Sequence, residues 1–248
     1  MPDHVIVTDE ESTRIIKLRR PEKKNALTQA MYDAMRNAID TAQNNPAIRC
    51  LMITGGLGVF TAGNDLEDFQ KAGAGEPRPI SAVKFMYSLV QNTKPLIAAV
   101  DGIAIGIGTT MMFHCDYVIA STAASFSTPF IHLGLVPEGA SSLLAPMTMG
   151  HQRAFSMLLM GRPVSAEEAE RAGFVNNVVA PGHAEVEALK IAREICALPA
   201  EALATSRKLL RPPPEDLLRR IDQESHLFGE RLSSPEAVAA FAAFFARK

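Results

Sequence analysis

Glu138 stands in the run Leu133-Gly134-Leu135-Val136-Pro137-Glu138-Gly139-Ala140 and is the only acidic side chain between Asp116 and Glu167. Aspartate and glutamate make up 27 of 248 residues, so so long a stretch holding one carboxylate is unusual. An isolated carboxylate among apolar neighbours tends toward a raised pKa, the condition for a base that shuttles protons near neutral pH. The same residue could also begin a helix after Pro137 and face water, and the residue alone does not decide between the two. Two other segments could supply the electrostatics such a base needs. Val59-Phe60-Thr61-Ala62-Gly63-Asn64-Asp65-Leu66 follows a strand and its glycine turn, and Asp101-Gly102-Ile103-Ala104-Ile105-Gly106-Ile107-Gly108-Thr109 joins a buried strand to a helix. Small residues let a ligand approach main-chain N–H groups, and a helix start presents those groups unpaired. Converging on one carbonyl, two such loops would form an oxyanion hole for a reaction that develops charge on oxygen. Gly-x-Gly spacing also serves plain helix–strand packing, so each loop by itself is ambiguous. A dinucleotide site is excluded, because its glycines would follow the first strand and its acid would lie farther on than Asp116 does.

The elements that must position these groups alternate. Val5 to Leu18 reads as two short strands around Asp9-Glu10-Glu11-Ser12. Thr28 is placed to cap a helix whose apolar positions recur at Met31, Ala34, Met35, Ala38, Ile39 and Ala42, and Asn44-Asn45-Pro46 ends it. Cys50 to Thr54 is a strand closing on Gly55-Gly56. Residues 67–79, with two glycines and two prolines, read as a mobile loop; Ile80 to Val90 is helical, and Leu96 to Val100 is a buried strand. After the glycine-rich turn a short helix runs through Phe113, and Tyr117–Ala120 and Ser125–Ser127 are further strands. Ser165-Ala166-Glu167-Glu168 has capping-box spacing, Gly173 suits a helix end, and Phe174 to Val179 is a last strand. Beyond Pro181 come four helices, over 184–196, 201–210, 215–230 and 235–246. The last presents Phe241, Phe244 and Phe245 as an apolar face. Strands alternating with helices give an α/β core over residues 1–195, and residues 196–248 form a helical C-terminal region.

A net charge of −2 leaves no footprint for nucleic acid or a membrane surface. No apolar run is long enough to span a bilayer. The three widely spaced cysteines suggest neither a disulfide framework nor a zinc site, and no targeting segment is evident at either end, so the cytoplasm is the expected compartment.

Phe60-Thr61-Ala62-Gly63-Asn64-Asp65-Leu66, Ala99-Val100-Asp101-Gly102-Ile103-Ala104-Ile105-Gly106 and Phe126-Ser127-Thr128-Pro129-Phe130 resemble signatures of the crotonase (enoyl-CoA hydratase/isomerase) superfamily. Pro21 to Thr28 is similar to that family's early loop, with Asn25-Ala26-Leu27 at its end. The resemblance runs from about Val5 to the C-terminus. It implies a crotonase (ClpP-like) spiral of ββα units, a helical C-terminal region that builds trimers, often stacked as hexamers, and a coenzyme A thioester as substrate. It places the thioester oxygen between the N–H groups of Ala62 and Ile107. Lys24, beside the backbone around Ala26, becomes a candidate contact for coenzyme A phosphates, although a solvated loop lysine is an equal reading.

The hydratases of the family add water with two glutamates, and their positions here are Thr110 and Phe130. Neither side chain can transfer the required proton. Thr128 to Gly139 resembles instead the peroxisomal-type Δ3-Δ2-enoyl-CoA isomerases of fatty acid oxidation, in which the glutamate matching Glu138 is the single base. The resemblance therefore implies a proton taken from carbon 2 and returned to carbon 4, with the dienolate held by the two N–H groups and Phe130 keeping the site dry. No metal or redox cofactor is implied. Alternatives are a hydratase, a dehalogenase- or hydrolase-like thioester enzyme on the same scaffold, or a non-catalytic binding member, including one that binds RNA, against which the acidic balance argues. Among other polar residues, Asp65 is expected to cap the helix after it. His114 and His132 are read as supporting histidines, His151 as flanking a helix start, and Ser141-Ser142 as a cap after Glu138. Met147, Met149, Met157 and Met160 are read as packing, some of them able to line an acyl tunnel.

Overall fold

The computed structural model describes residues 4–65 and 80–246. Leu66 and the 67–79 loop therefore lie outside the described residues. The strands fall into two sheets. β1 (Val5–Glu10), β2 (Thr13–Leu18), β3 (Cys50–Thr54), β5 (Leu96–Val100), β7 (Tyr117–Ser121) and β10 (Asn177–Val179) form a six-stranded sheet in that spatial order. β4 (Val59–Thr61), β6 (Ile103–Ile105), β8 (Ser125–Ser127) and β9 (Val164–Ser165) form a four-stranded one. The alternation has a simple logic. Each consecutive pair, β3–β4, β5–β6 and β7–β8, gives its first strand to the large sheet and its second to the small one. All the pairings within these two triplets are parallel. Repetition of that unit builds a spiral whose successive turns stack strand on strand.

Tight corners make the stacking possible. Gly102, between β5 and β6, has φ of 86°, and a Cβ there would lie 1.9 Å from the Gly58 carbonyl oxygen. Only glycine permits that approach between neighbouring turns of the spiral.

The fully buried runs of β3 and β5 are flanked on both faces, as parallel strands require. One face packs on the Gln29–Gln43 and Ser81–Gln91 helices through Met31, Tyr32, Met35, Ile39, Phe85 and Leu89. The other takes the Ala184–Ala197 helix, whose Ala184, Ala188 and Ala192 form a small-residue stripe against Met52, Ile97 and Ile119.

The expected helix signals match the observed termini. Thr28 accepts from Met31 N, Ser165 and Glu168 form a reciprocal capping box, and Gly173 closes that helix in the left-handed region. Ser141 and Ser142 do not cap the Ser141–Met149 helix; Ala140 is its N-cap, at φ 58°. The last strand starts at Asn177 rather than Phe174, because the Phe174 ring turns into the core beside Phe113 and Phe126. The C-terminal helices run Ala184–Ala197, Ala200–Leu210, Pro214–Leu232 and Pro235–Phe245. Leu217 and Ile221 of the third join the main core, while Phe228 and Leu232 pack with Phe130, Leu135 and Phe241 in a separate cluster. Among the described residues, no helix is long and apolar enough to cross a membrane.

Candidate active site

The Lys24–Leu27 segment is tied to β4 by a buried asparagine. Asn25, at φ 54°, accepts from Arg20 N at 2.7 Å and donates through Nδ2 to the carbonyls of Gly55, Val59 and Phe60 at 3.0–3.3 Å. Thr61 Oγ1 donates to the Asn25 carbonyl at 2.6 Å and accepts from Gly63 N at 3.1 Å. Beyond it, Leu27 N donates to Gly63 O at 2.8 Å and Asp65 N donates to Leu27 O at 3.0 Å, forming a parallel bridge between Leu27 and Asn64. The Gly63 carbonyl and the Asn64 N–H belong to one trans peptide and point in opposite directions. Since that carbonyl faces Leu27, the Asn64 N–H faces away from it.

The same accounting disposes of Ala62. Its N–H donates to the Lys24 carbonyl at 2.9 Å, so it is spent on holding the loop and does not offer itself to a ligand. The expected Ala62 donor is thus already engaged, and two residues on it is the Asn64 N–H that is turned away from Leu27. Which N–H of an extended segment is engaged is invisible in sequence without its hydrogen-bond partner.

The Ile107 N–H stands at the start of a short helix. Gly106, at φ 58° and ψ −120°, is the N-cap of the Ile107–Thr110 helix. Its carbonyl accepts from Thr109 N and Thr110 N at 2.8 and 2.9 Å, so the N–H on the other side of that peptide, Ile107's, points out of the helix start.

These loops border a cavity of about 720 Å³. Lys24, Ala26, Ala62, Gly63, Asn64, Asp65, Gly106 and Phe130 all line it, together with Leu135, Phe228 and, from the last helix, Ala240 and Phe244. Phe130 is buried, meets Phe228 edge-on at 6.5 Å between centroids, and brings its Cε1 to 3.9 Å from where a Gly106 Cβ would stand. Asp65 pairs with Arg20, whose Nη1 lies 2.6 Å from Oδ2 and also donates to the Ala26 carbonyl at 2.9 Å. The Tyr32 hydroxyl donates to Asn64 Oδ1. Glu22, Lys23 and Lys24 form the polar rim.

Glu138 is 5% exposed and accepts from the Thr110 hydroxyl at 2.9 Å. Thr110 lies three residues after Ile107, about 5 Å along the helix axis. The first hydratase position thus holds a donor to Glu138 in place of a second carboxylate. The expectation of a solvent-facing helix-start glutamate is overturned by this burial. The turn behind Glu138 has two further buried polar contacts. His114 Nε2 lies 2.7 Å from the Gly139 carbonyl, and Glu224, on the Pro214–Leu232 helix, accepts from Ala140 N at 2.6 Å and Ser142 N at 3.0 Å. Burial pushes the His114 pKa down to about 4, the Gly139 contact opposes this and the Arg211 charge adds to it, so the ring is neutral and Nε2–H is the donor. Burial raises the Glu224 pKa, against its hydrogen bonds to Ser142 and Ala140 and the nearby Arg220. Glu224 was not foreseen. Its signal was present: it interrupts the buried stripe Leu217, Ile221, Glu224, Phe228, Leu232. His132 lines the cavity.

Comparison with known proteins fits this geometry. The family model described as enoyl-CoA hydratase/isomerase matches residues 8–247. The chain belongs to the crotonase superfamily. Within it, enoyl-CoA delta isomerase 2 of Rattus norvegicus is 33% identical over 250 residues, covering 98% of this chain and 64% of that protein. The 1,2-epoxyphenylacetyl-CoA isomerase of Escherichia coli (strain K12) is 30% identical, covering 98% of this chain and 97% of that protein. The chain thus spans just under two thirds of the length of the enoyl-CoA delta isomerase 2 relative. A solved crotonase-fold structure, Pseudomonas aeruginosa OdaA, superposes with a TM-score of 0.93 at 40% identity over 98% of each chain.

Proposed function

We propose that this crotonase isomerises 3-enoyl-CoA thioesters to 2-enoyl-CoA, with Glu138 as the single acid/base. The observation that carries the reading is the 2.9 Å contact from Thr110 to the buried Glu138 carboxylate. One hydratase position is a hydroxyl serving that carboxylate and the other is Phe130, so two-carboxylate water addition lacks its parts. Glu138 takes a proton from carbon 2, and the dienolate's oxygen is held by the outward N–H groups of Asn64 and Ile107. Glu138 then returns the proton to carbon 4. One proton moves and no electrons are exchanged, so the reaction calls for no metal or redox group. Phe130, Leu135 and Phe228, which line the cavity, would keep water from the dienolate, and Lys24, which also lines it, would contact the coenzyme A phosphates.

The working protein on this reading is a cytoplasmic homotrimer or hexamer. Leu209 and Leu210, 82% and 87% exposed, are apolar surface that association would cover.

The test is incubation with 3-enoyl-CoA while the conjugated 2-enoyl thioester is followed by ultraviolet absorbance. Turnover is expected, with a loss of at least about a hundredfold in Glu138→Gln, the usual scale for general acid–base catalysis. A fully active Glu138→Gln enzyme sinks the base assignment. Rapid conversion of 2-enoyl-CoA to its 3-hydroxy product would favour a hydratase.

A further inference from the structure

The Gly139–Ala140 peptide, one residue beyond Glu138, is gripped from both sides. Its carbonyl, from Gly139, accepts from His114 Nε2 at 2.7 Å, and its N–H, from Ala140, donates to Glu224 Oε2 at 2.6 Å. The two gripping side chains come from distant parts of the chain, a short helical turn at Met111–His114 and the Pro214–Leu232 helix, and both are buried. Gly139 and Ala140 have φ of 71° and 58°. The second value is strained for a residue with a Cβ, so this conformation has to be imposed by its surroundings.

At φ 58° and ψ 14°, position 140 lacks the extended backbone from which a capping side chain reaches its own helix, and the Ser141–Met149 helix start is instead met by a buried carboxylate from another helix. Glu224 accepts from both Ala140 N and Ser142 N and from Ser142 Oγ, to which Arg220 Nη1 donates at 3.1 Å. What the Glu224 and His114 contacts share is a single peptide plane, one residue from the carboxylate whose direction decides proton transfer.

We propose that His114 and Glu224 are positioning residues that clamp the Gly139–Ala140 peptide and thereby aim Glu138 at its substrate. The inference rests on Glu138 being the base. With one side of the clamp released, the peptide rotates about its flanking bonds and the carboxylate loses its alignment while the cavity that binds the thioester keeps its shape. The loss therefore falls on kcat and not on KM.

The experiment is a double-mutant cycle read by steady-state kinetics on 3-enoyl-CoA, using Glu224→Gln, Glu138→Gln and their combination, with folding checked by circular dichroism and thermal melting. Glu224→Gln is expected to lower kcat by about tenfold or more, the scale of misplacement effects, with little change in KM. In the Glu138→Gln background the same substitution should cost nothing further, because there is no base left to aim. Should Glu224→Gln fail to fold, His114→Phe, which removes the donor from the other side of the same peptide, takes its place with the same expected pattern. An unchanged kcat in a folded variant, or an equal loss in both backgrounds, overturns the clamp while leaving the base assignment intact. A fully active Glu138→Gln single variant overturns both, and it is read from the cycle independently.

Discussion

His114 predicts a specific acid weakness. It is buried and its pKa is lowered from 6.5 to about 4, first by burial, while its Nδ1 has no hydrogen-bond partner among the described residues. Above pH 6.5 the ring is neutral in both folded and unfolded chains and contributes nothing to pH dependence. As pH falls, the unfolded chain takes up the proton first, and stability is lost until the pH passes the folded value near 4. From that shift, and about 1.4 kcal/mol per unit, the loss is about 1 kcal/mol at pH 5.5, between about 2 and 3 kcal/mol at pH 4.5, and about 3 kcal/mol in the acid limit. His114→Gln keeps an N–H donor for the Gly139 carbonyl and does not titrate. Urea unfolding of both proteins from pH 7.5 to 4.5 isolates the term, because the gap between wild type and variant should shift by these amounts as pH falls. Glu224, whose pKa is raised, acts in the opposite sense: its contribution is lost as pH rises through its folded value. Present in both proteins, that contribution cancels in the difference. A gap that stays flat with pH refutes the reasoning, since a buried neutral histidine cannot avoid this linkage.

Two further outcomes are expected. Gly102→Ala forces a Cβ to 1.9 Å from the Gly58 carbonyl at φ 86°, so it should lower stability by about 3 kcal/mol or more, or prevent folding, as read by chemical denaturation. Cys196 has its pKa lowered to about 6, chiefly by a hydrogen bond from Cys50, whose own pKa the pairing and burial raise, and burial also raises that of Cys115. Iodoacetamide should therefore label Cys196 in the folded protein with a half-maximal rate near pH 6, and peptide mapping should find Cys50 and Cys115 labelled only after unfolding.

The helices were legible because their signals are local. Thr28, Ser165 and Gly173 act on backbone groups within four residues, so sequence spacing suffices to read them. The two glycine loops were legible as turns for the same reason, and Gly63, Gly102 and Gly106 do take positive φ there. What escaped reading depends on partners far away in the chain. Ala62 and Asn64 differ only in which faces Lys24 and Leu27, a matter of register across a bridge. Asp65 is paired with Arg20, forty-five positions earlier, a contact that no local pattern announces, while the helix it is expected to cap lies outside the described residues. Ser142, expected as a cap, instead gives its N–H to a carboxylate eighty-two positions later. β6 went unread as a strand because three residues carry too little pattern to stand apart from the glycines around them.

The walls of the cavity are contributed by residues from Glu22 to Phe244, nearly the whole length of the chain. The last helix, carrying Ala240 and Phe244, is therefore made after every other wall. Until that helix is made, the cavity lacks the wall that Ala240 and Phe244 supply. Glu224 also arrives late, more than eighty residues after the glutamate it flanks. A chain halted before the Pro214–Leu232 and Pro235–Phe245 helices would lack both that wall and the Glu224 contacts, and should be inert.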